Sequence, residues 1–598
     1  MRSESLLRVA AVLNAVSASN AGAEDEGVSL GHPRNEVVHM TVAFHQSRLA
    51  EAESLLLQVS DPKSSNFGQY LTRDELDVMF APSEASQRKA LEWLNEAGVT
   101  GSNVRLHKAA GLFEFPVTED QMRKLFGSAH ERRDTGETRH DSSIHPVPVG
   151  LKSHVESIWS RRPRRKRTSV QSEQPTSYKS RELHARQTNQ TSECGPNWSP
   201  KCIRELYQID IDQPAAPNNS LGIYGSGDAY EAADLPNFFS QFANFIPNDT
   251  HPTVDIVNGA PAVPGVSFAG EQILDLSMAY PIVYPQNVHI FQMPGASYDT
   301  GLGNNFLDAV DASYCTFDGG DDPTLDPQYP QFMGYQGPAM CGTYNITNVL
   351  SISFATDESH LGARYVRRQC TQWMKMALQG VSVLVSSGDR GVQGNQGCQF
   401  LEAAKGGAFN PLFPGVCPYV TTVGATQVNY TEPGRPEVAV YDPAHYFWSG
   451  GGFSNFNEQP AYQTEAVDHY LASHDPKYPE GTFNRSGRAF PDVSMLGANV
   501  TISDSGKIVQ SGGTSAAAPL FAAVISKIND ERLLSGKRPI GFLNQILYQH
   551  PEVFNDITDG SNPGCETGGF QAAEGWDPVS GLGSPNFPKL RDLLVNLP

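Results

Sequence analysis

All eight cysteines of this 598-residue chain fall between Cys194 and Cys565, leaving the first 193 residues without one. An even number confined to one region points to disulfides formed in an oxidising compartment. The chain therefore divides into two parts with different folding requirements. Charge divides at nearly the same place. Residues 1–187 carry 25 Lys and Arg against 24 Asp and Glu, whereas the whole chain stands at −21, so the remainder is strongly acidic. That balance excludes a nucleic-acid binder, whose phosphate contacts need a basic surface. A surface this acidic loses self-repulsion as pH falls, which suits the second part to acid, although solubility alone could account for it. No run of 18 apolar residues occurs, so no helix is expected to span a bilayer.

Asn189, Asn218, Asn248, Asn345, Asn429, Asn484 and Asn499 each open an Asn-x-Ser/Thr sequon, and all lie beyond residue 187. Asn197, just ahead of Pro200, is a poorer one. Sequons in the company of cysteines favour secretion and glycosylation. At the N-terminus, Arg2 and Arg8 precede the apolar stretch Val9–Ala18, and Ala21-Gly22-Ala23 matches a small-residue cleavage site. These features predict a signal peptide over residues 1–23.

Residues 24–158 read as a small α+β domain. Val37–Phe44 and Leu112–Val117 are strand-like, and Leu49–Gln58 and Ser83–Ala97 are helix-like. Residues 159–193 form a linker that opens on the basic run Arg161–Arg167 and continues in Ser, Gln, Thr and Pro. Such a run can be a nuclear-type or polyanion-binding patch. In a secreted chain it is better read as an exposed processing site. From 194 to 598, the short apolar runs Val288–Met293 and Val381–Ser387 look like strands buried on both faces, and Thr371–Gln379 and Ala516–Arg532 look like helices. Their alternation predicts an α/β domain with a mostly parallel sheet.

The sharpest chemical signal is Ser511-Gly512-Gly513-Thr514-Ser515-Ala516-Ala517-Ala518-Pro519. The glycines permit a tight turn, and a helix is expected to begin directly after Ser515 with Pro519 in its first turn. A hydroxyl there sits where free N–H groups can stabilise an oxyanion. It can equally be a plain N-cap, so it needs a base to mean more. The string resembles the nucleophile segment of subtilisin-like serine peptidases. The seven histidines after Cys194, however, lack a His-Gly-Thr context, and most look like loop or surface residues. Carboxylates are the alternative. In Gly270–Asp275, a helix closed by Pro281 puts Glu271 and Asp275 four residues apart on one face. Two acids so close can share a proton, although alone the pair could be an ordinary solvated face. Asp389 follows the apolar run Val381–Ser387 at the strand end where α/β proteins build sites, or it is a loop residue starting a turn.

Taken in this order and context, Glu271 with Asp275, Asp389 and Ser515 resemble the sedolisin family, the acid-acting serine-carboxyl peptidases. The resemblance covers nearly the whole chain. Val59–Ser64 and Gly68–Thr72 look like the family's activation prodomain, and Phe413-Pro414, Pro418–Thr426 and Ser449–Ser454 look like its core, the last helping to wall the cleft. It implies a subtilisin-like α/β/α domain with Ser515 as nucleophile and Glu271 as general base. Asp275 would orient Glu271, and a protonated Asp389 would help form the oxyanion hole. The long stretch Cys315–Cys341 widens the gap between Glu271 and Asp389, as in fungal secreted members. Near the C-terminus, Asn555–Thr558 and Gly575–Pro578 look like the family's calcium site. One structural Ca²⁺ would be held by the carboxylates of Asp556 and Asp577 and by the carbonyls of Ile557, Ala573 and Gly575. As isolated segments, both could be surface turns.

The expectation is a secreted zymogen that acts on peptide and protein substrates, releases tripeptides from free N-termini, and carries its own prodomain as intramolecular inhibitor or chaperone. An acid endopeptidase is the alternative within the class. A non-catalytic secreted calcium-binding protein is the more remote one.

Overall fold

The computed structural model describes residues 37–46, 48–108, 110–127, 142–161, 194–211, 214–227, 229–260, 270–294, 303–311, 325, 335, 337–338, 340–398, 408–430, 432 and 436–598. The expected signal peptide, most of the basic linker, Asn189 and Cys315 lie outside the described residues.

In the first part, the strands Val37–Phe44, Arg105–His107, Leu112–Thr118, Ser142–His145 and Val155–Arg161 form one antiparallel sheet. Val37–Phe44 is its middle strand. Side chains alternate across a strand. Accordingly Val38, Met40, Val42 and Phe44 share a core with Ala90 and Leu94 of the helix Glu84–Glu96 and with Met122 and Leu125 of the helix Glu119–Phe126. Ala43 points the other way, toward Leu112 and Trp159.

The second part is built on a parallel sheet. Its strands run in the order Glu437–Ala439, Thr421–Val428, Ser382–Ser386, Val349–Ile352, Ser220–Ser226, Asn287–Met293 and Thr253–Ile256, and Val493–Leu496 also pairs with Thr421–Val428. Every pairing is parallel except that of Glu437–Ala439. Alternation again sorts the side chains. Val349, Leu384, Ile223 and Ile290 belong to one core, whereas Leu350, Val383, Val385, Tyr224 and Phe291 belong to a second. Both faces are therefore covered, which is why these strands read as continuous apolar runs.

Two helices fill the first core. Glu271–Val283 is buried from Gln272 onward, and Thr514–Leu534 is buried along most of its length. The two pack against each other. Ala516, Ala517, Ala518, Ala522 and Ala523 are all buried, and such small side chains let a helix approach closely. The opposite core holds Ala363–Leu378, two turns longer at its start than the sequence predicted.

Two local expectations need correction. Pro281 does not close its helix, which runs on to Val283. The proline lies in the last turn, and Arg204 Nη1 donates to its carbonyl at 3.1 Å. The Ser515 helix begins at Thr514, so Ser515 is its second residue and Pro519 lies in the second turn rather than the first. The turn before it is made by Gly513, whose φ of +138° disfavours any side chain.

The first part docks along the Ala363–Leu378 helix. Ala52, Leu56, Val59, Leu76, Met79 and Phe80 share a core with Met374, Ala377, Leu378 and Phe542. Tyr70 donates its hydroxyl toward the carbonyls of Pro539 (2.8 Å) and Ile540 (2.5 Å), and the Leu71 N–H bonds the Leu378 carbonyl at 2.8 Å. At the other end of the helix, Arg368 pairs with Glu156 at 3.0 Å and donates to the Ala110 carbonyl at 2.7 Å. Disulfides join Cys194 to Cys202, Cys370 to Cys417 and Cys398 to Cys565, and Cys341 is disulfide-bonded as well.

Candidate active site

The carboxyl ends of the parallel strands converge on Ser515. The strand Ser382–Ser386 continues through Ser387 and Gly388 into Asp389, and Val349–Ile352 ends directly before Ser353. Ser515 is half-buried at the head of its helix, where the first N–H groups have no partner within the helix.

Asp389 is held to that helix by Thr514. Its Oδ1 accepts the Thr514 N–H at 2.7 Å and the Thr514 hydroxyl at 2.8 Å. The Gly388 N–H in turn donates to Thr514 Oγ1 at 3.0 Å. The Oδ2 of Asp389 faces Gly513, where a Cβ would sit only 3.1 Å away. Burial pushes the Asp389 carboxyl above the usual carboxylate range, and the two Thr514 bonds oppose that rise without cancelling it.

The Glu271 helix packs against the Ser515 helix. Asp275 is 0% exposed, in a helix buried nearly all round, so the solvated-face reading of the acid pair is excluded. Glu271 is the first residue of the helix, half-buried and one turn ahead. Asp275 reaches the nucleophile through Ser353. The Ser353 hydroxyl donates to Asp275 Oδ1 at 2.8 Å, and the Ser353 carbonyl accepts from Ser515 Oγ at 3.4 Å. The histidines lie apart from this arrangement. His289, His445 and His550 pair with Asp255, Asp442 and Glu552, and His251, His360, His469 and His474 are exposed.

The Ser449–Ser454 segment lies against the same strand end. Trp448 and Gly450 donate their N–H groups to the carbonyls of Asp389 (3.1 Å) and Gly388 (2.7 Å). Gly450 has no alternative, because a Cβ there would meet the Ser387 carbonyl at 2.3 Å. The segment is pinned further on by buried Glu358, which accepts the Ser454 hydroxyl and the Asn455 N–H (2.7 Å). Burial raises the Glu358 carboxyl to about 7.

Sequence reasoning missed Ser353, Thr514 and Glu358. Ser353 carried a usable signal, since it ends the strand-like run Val349-Leu350-Ser351-Ile352. Thr514 was visible only as part of the glycine turn.

The five residues expected around calcium also come together. The Gly575 N–H donates to Asp556 Oδ2 at 2.8 Å, and the Ser580 hydroxyl lies between the Ile557 carbonyl (3.2 Å) and Asp577 Oδ2 (3.0 Å). Asp577 Oδ2 also accepts the Ala573 N–H at 3.0 Å. Asp577 is wholly buried, which raises its carboxyl to about 7, while Asp556 is exposed. Two carboxylates and three carbonyls on two adjoining turns are hard oxygens, and this donor set fits a calcium ion.

Comparison with known proteins gives this geometry its context. Aorsin of Aspergillus oryzae is 41% identical over 93% of this chain and 92% of its own length. Tripeptidyl-peptidase sed1 of Aspergillus fumigatus is 40% identical over 94% and 92%. The chain belongs to the sedolisin family. It is a serine peptidase of that type, with relatives named as tripeptidyl-peptidases. Residues 31–161 match the family described as Pro-kumamolisin, activation domain, so the five-stranded first part is a sedolisin activation prodomain. A solved structure of Pseudomonas sedolisin, a serine-carboxyl proteinase, aligns with 67% of this chain and 98% of its own at 21% identity and a TM-score of 0.49. Among the described residues, no helix is long and apolar enough to cross a membrane.

Proposed function

We propose that this peptidase acts in acid through Ser515, Glu271, Asp275 and Asp389. The observation that carries the reading is the position of Ser515, linked to buried Asp275 through Ser353 and to Asp389 through Thr514. Ser515 Oγ attacks the scissile carbonyl carbon, and Glu271 takes its proton. Asp275, one helical turn on, shares and orients that charge. The tetrahedral oxyanion is stabilised by the Ser515 N–H and by a proton on Asp389. Glu271 then returns its proton to the leaving amine, and water releases the acyl group by the same steps in reverse.

The names of the relatives support tripeptide release from free N-termini. Hydrolysis of a peptide with a free amine, compared with its N-acetylated twin, tests this. Cleavage confined to the free amine, three residues in, is expected; equal internal cleavage of the blocked twin makes the protein an endopeptidase.

The remaining features describe how the enzyme is made and kept. Its disulfides, and exposed sequons such as Asn218, Asn248, Asn345 and Asn499, support a secreted glycoprotein. The docked prodomain acts as the intramolecular inhibitor, and cleavage in the basic linker frees the enzyme. One Ca²⁺ held by Asp556, Asp577 and the carbonyls of Ile557, Ala573 and Gly575 supplies cross-linking charge to the C-terminal turns and takes no part in the reaction.

A further inference from the structure

Ser353 touches both sides of the proposed mechanism. It sits at the carboxyl end of the strand Val349–Ile352 and is 9% exposed. Its hydroxyl lies 2.8 Å from Asp275 Oδ1 and 3.4 Å from the main-chain oxygen of Ser515. A hydroxyl has one proton to give. The shorter contact, to a carboxylate, takes it while that carboxylate is charged. The second acceptor is one that the helix itself leaves open. Pro519, four residues after Ser515, has no N–H with which to bond the Ser515 carbonyl.

We propose that Ser353 is a positioning residue for the acid pair, an inference that rests on the reading of Glu271 and Asp275 as the base. Its hydroxyl holds the Asp275 carboxylate while that group is ionised, and turns to the Ser515 carbonyl once Asp275 takes up a proton. The charge of a buried acid is thereby tied to the backbone of the nucleophile.

Among the described residues, the charged groups on the elements packed around Asp275 are these. Glu271 is on its own helix, and Asp389 stands beyond the head of the Ser515 helix. Arg204 caps Pro281, about 9 Å along the helix axis, and Lys527 is about 18 Å along its helix from Ser515. Asp234 is bonded to Ser503, Ser505 and Gly506, and Asp530 to Ala216, Asn219 and Gln286.

A hydrogen bond donated to a carboxylate favours its ionised form, so losing it raises the pH at which the pair is protonated. The two carboxyls titrate together, and the change appears in the macroscopic acid limb of kcat/KM. Ser353→Ala is therefore expected to move that limb upward by about one pH unit and to lower kcat roughly ten- to a hundredfold, with KM little changed. Ser353→Thr, which keeps the hydroxyl, is expected to restore the wild-type limb. An alanine variant with the wild-type acid limb overturns the inference, as does a threonine variant that shifts like alanine. Acid hydrolysis that survives Ser515→Ala removes the functional reading first, so the two failures are distinguishable.

Discussion

Thr514 gives both its backbone N–H and its hydroxyl to a single oxygen of Asp389, Oδ1, at 2.7 and 2.8 Å. Oδ1 is thereby fixed as an acceptor, and Oδ2 is the oxygen that would carry the proton in the proposed oxyanion hole. Burial already raises this carboxyl, and the Thr514 bonds pull it back toward the ionised form. Activity that needs protonated Asp389 is present below its pKa and lost as pH rises through it. Thr514→Val removes one ionising bond, so the pKa rises and the alkaline limb of kcat/KM moves up by about one unit, at about 1.4 kcal/mol per unit. Thr514→Ser restores it. A limb that stays in place or moves down takes Asp389 out of the oxyanion hole.

Asp389→Asn keeps a donor at Oδ2's position whatever the pH. Its alkaline limb is expected to flatten, with peak kcat reduced by about a hundredfold or more through the changed strength of the donor. An unchanged limb in a steady-state pH profile contradicts the assignment.

Ser515→Ala is expected to lower kcat by about 10⁶-fold, since a nucleophile has no substitute in a concerted set. Full-length Ser515→Ala held in acid should keep its prodomain covalently attached on a denaturing gel while wild type loses it. Cleavage at the wild-type rate assigns processing to another protease.

These predictions rest on residues of unequal legibility. Asp389 and Ser515 were readable because each follows a feature with its own period, an apolar strand and a glycine turn before a helix. Asp275 was readable as a partner of Glu271 but not as a buried one. Its helix is apolar nearly all round, so no polar face marks how deep it lies. The pairings that Ser353 and Glu358 make were out of reach, although the strand end at Ser353 was visible. Both act across the sheet, Ser353 on a helix 78 residues earlier and Glu358 on Ser454 96 residues later, and no local pattern encodes such a pairing. The helix limits at Pro281 and Thr514 were misjudged for a related reason. Tertiary partners such as Arg204 and Asp389 satisfy end groups that sequence alone leaves open.

The prodomain interface makes its own prediction. Arg368 is 3% exposed and binds Glu156 and the Ala110 carbonyl of the prodomain together. Arg368→Ala leaves Glu156 without its cation, at a cost on the order of 2 kcal/mol, below the ~3–5 of a fully buried pair. After a single cut in the linker at neutral pH, wild type should carry its prodomain through gel filtration. The variant should shed it roughly thirtyfold more readily. Equal retention places the hold elsewhere, on the Tyr70 and Leu71 contacts.

Calcium gives the last test. The proposed ligands lie on the turns Asp556–Ile557 and Ala573–Asp577 and include none of the proposed catalytic residues, so the ion should act on stability and not on the choice of peptide. Bound only by the folded chain, it stabilises by about 2.7 kcal/mol at a hundredfold excess over its Kd. Removing it leaves wholly buried Asp577 with only N–H and hydroxyl donors to offset its charge. Chelation should therefore lower Tm, and Asp577→Ala should lower it further while abolishing the response to chelator. Calcium titration of the chelated wild type should restore Tm with kcat/KM ratios between peptides unchanged throughout. A Tm indifferent to chelator removes the ion from the site, and a change in peptide preference at constant Tm would place it at the cleft instead.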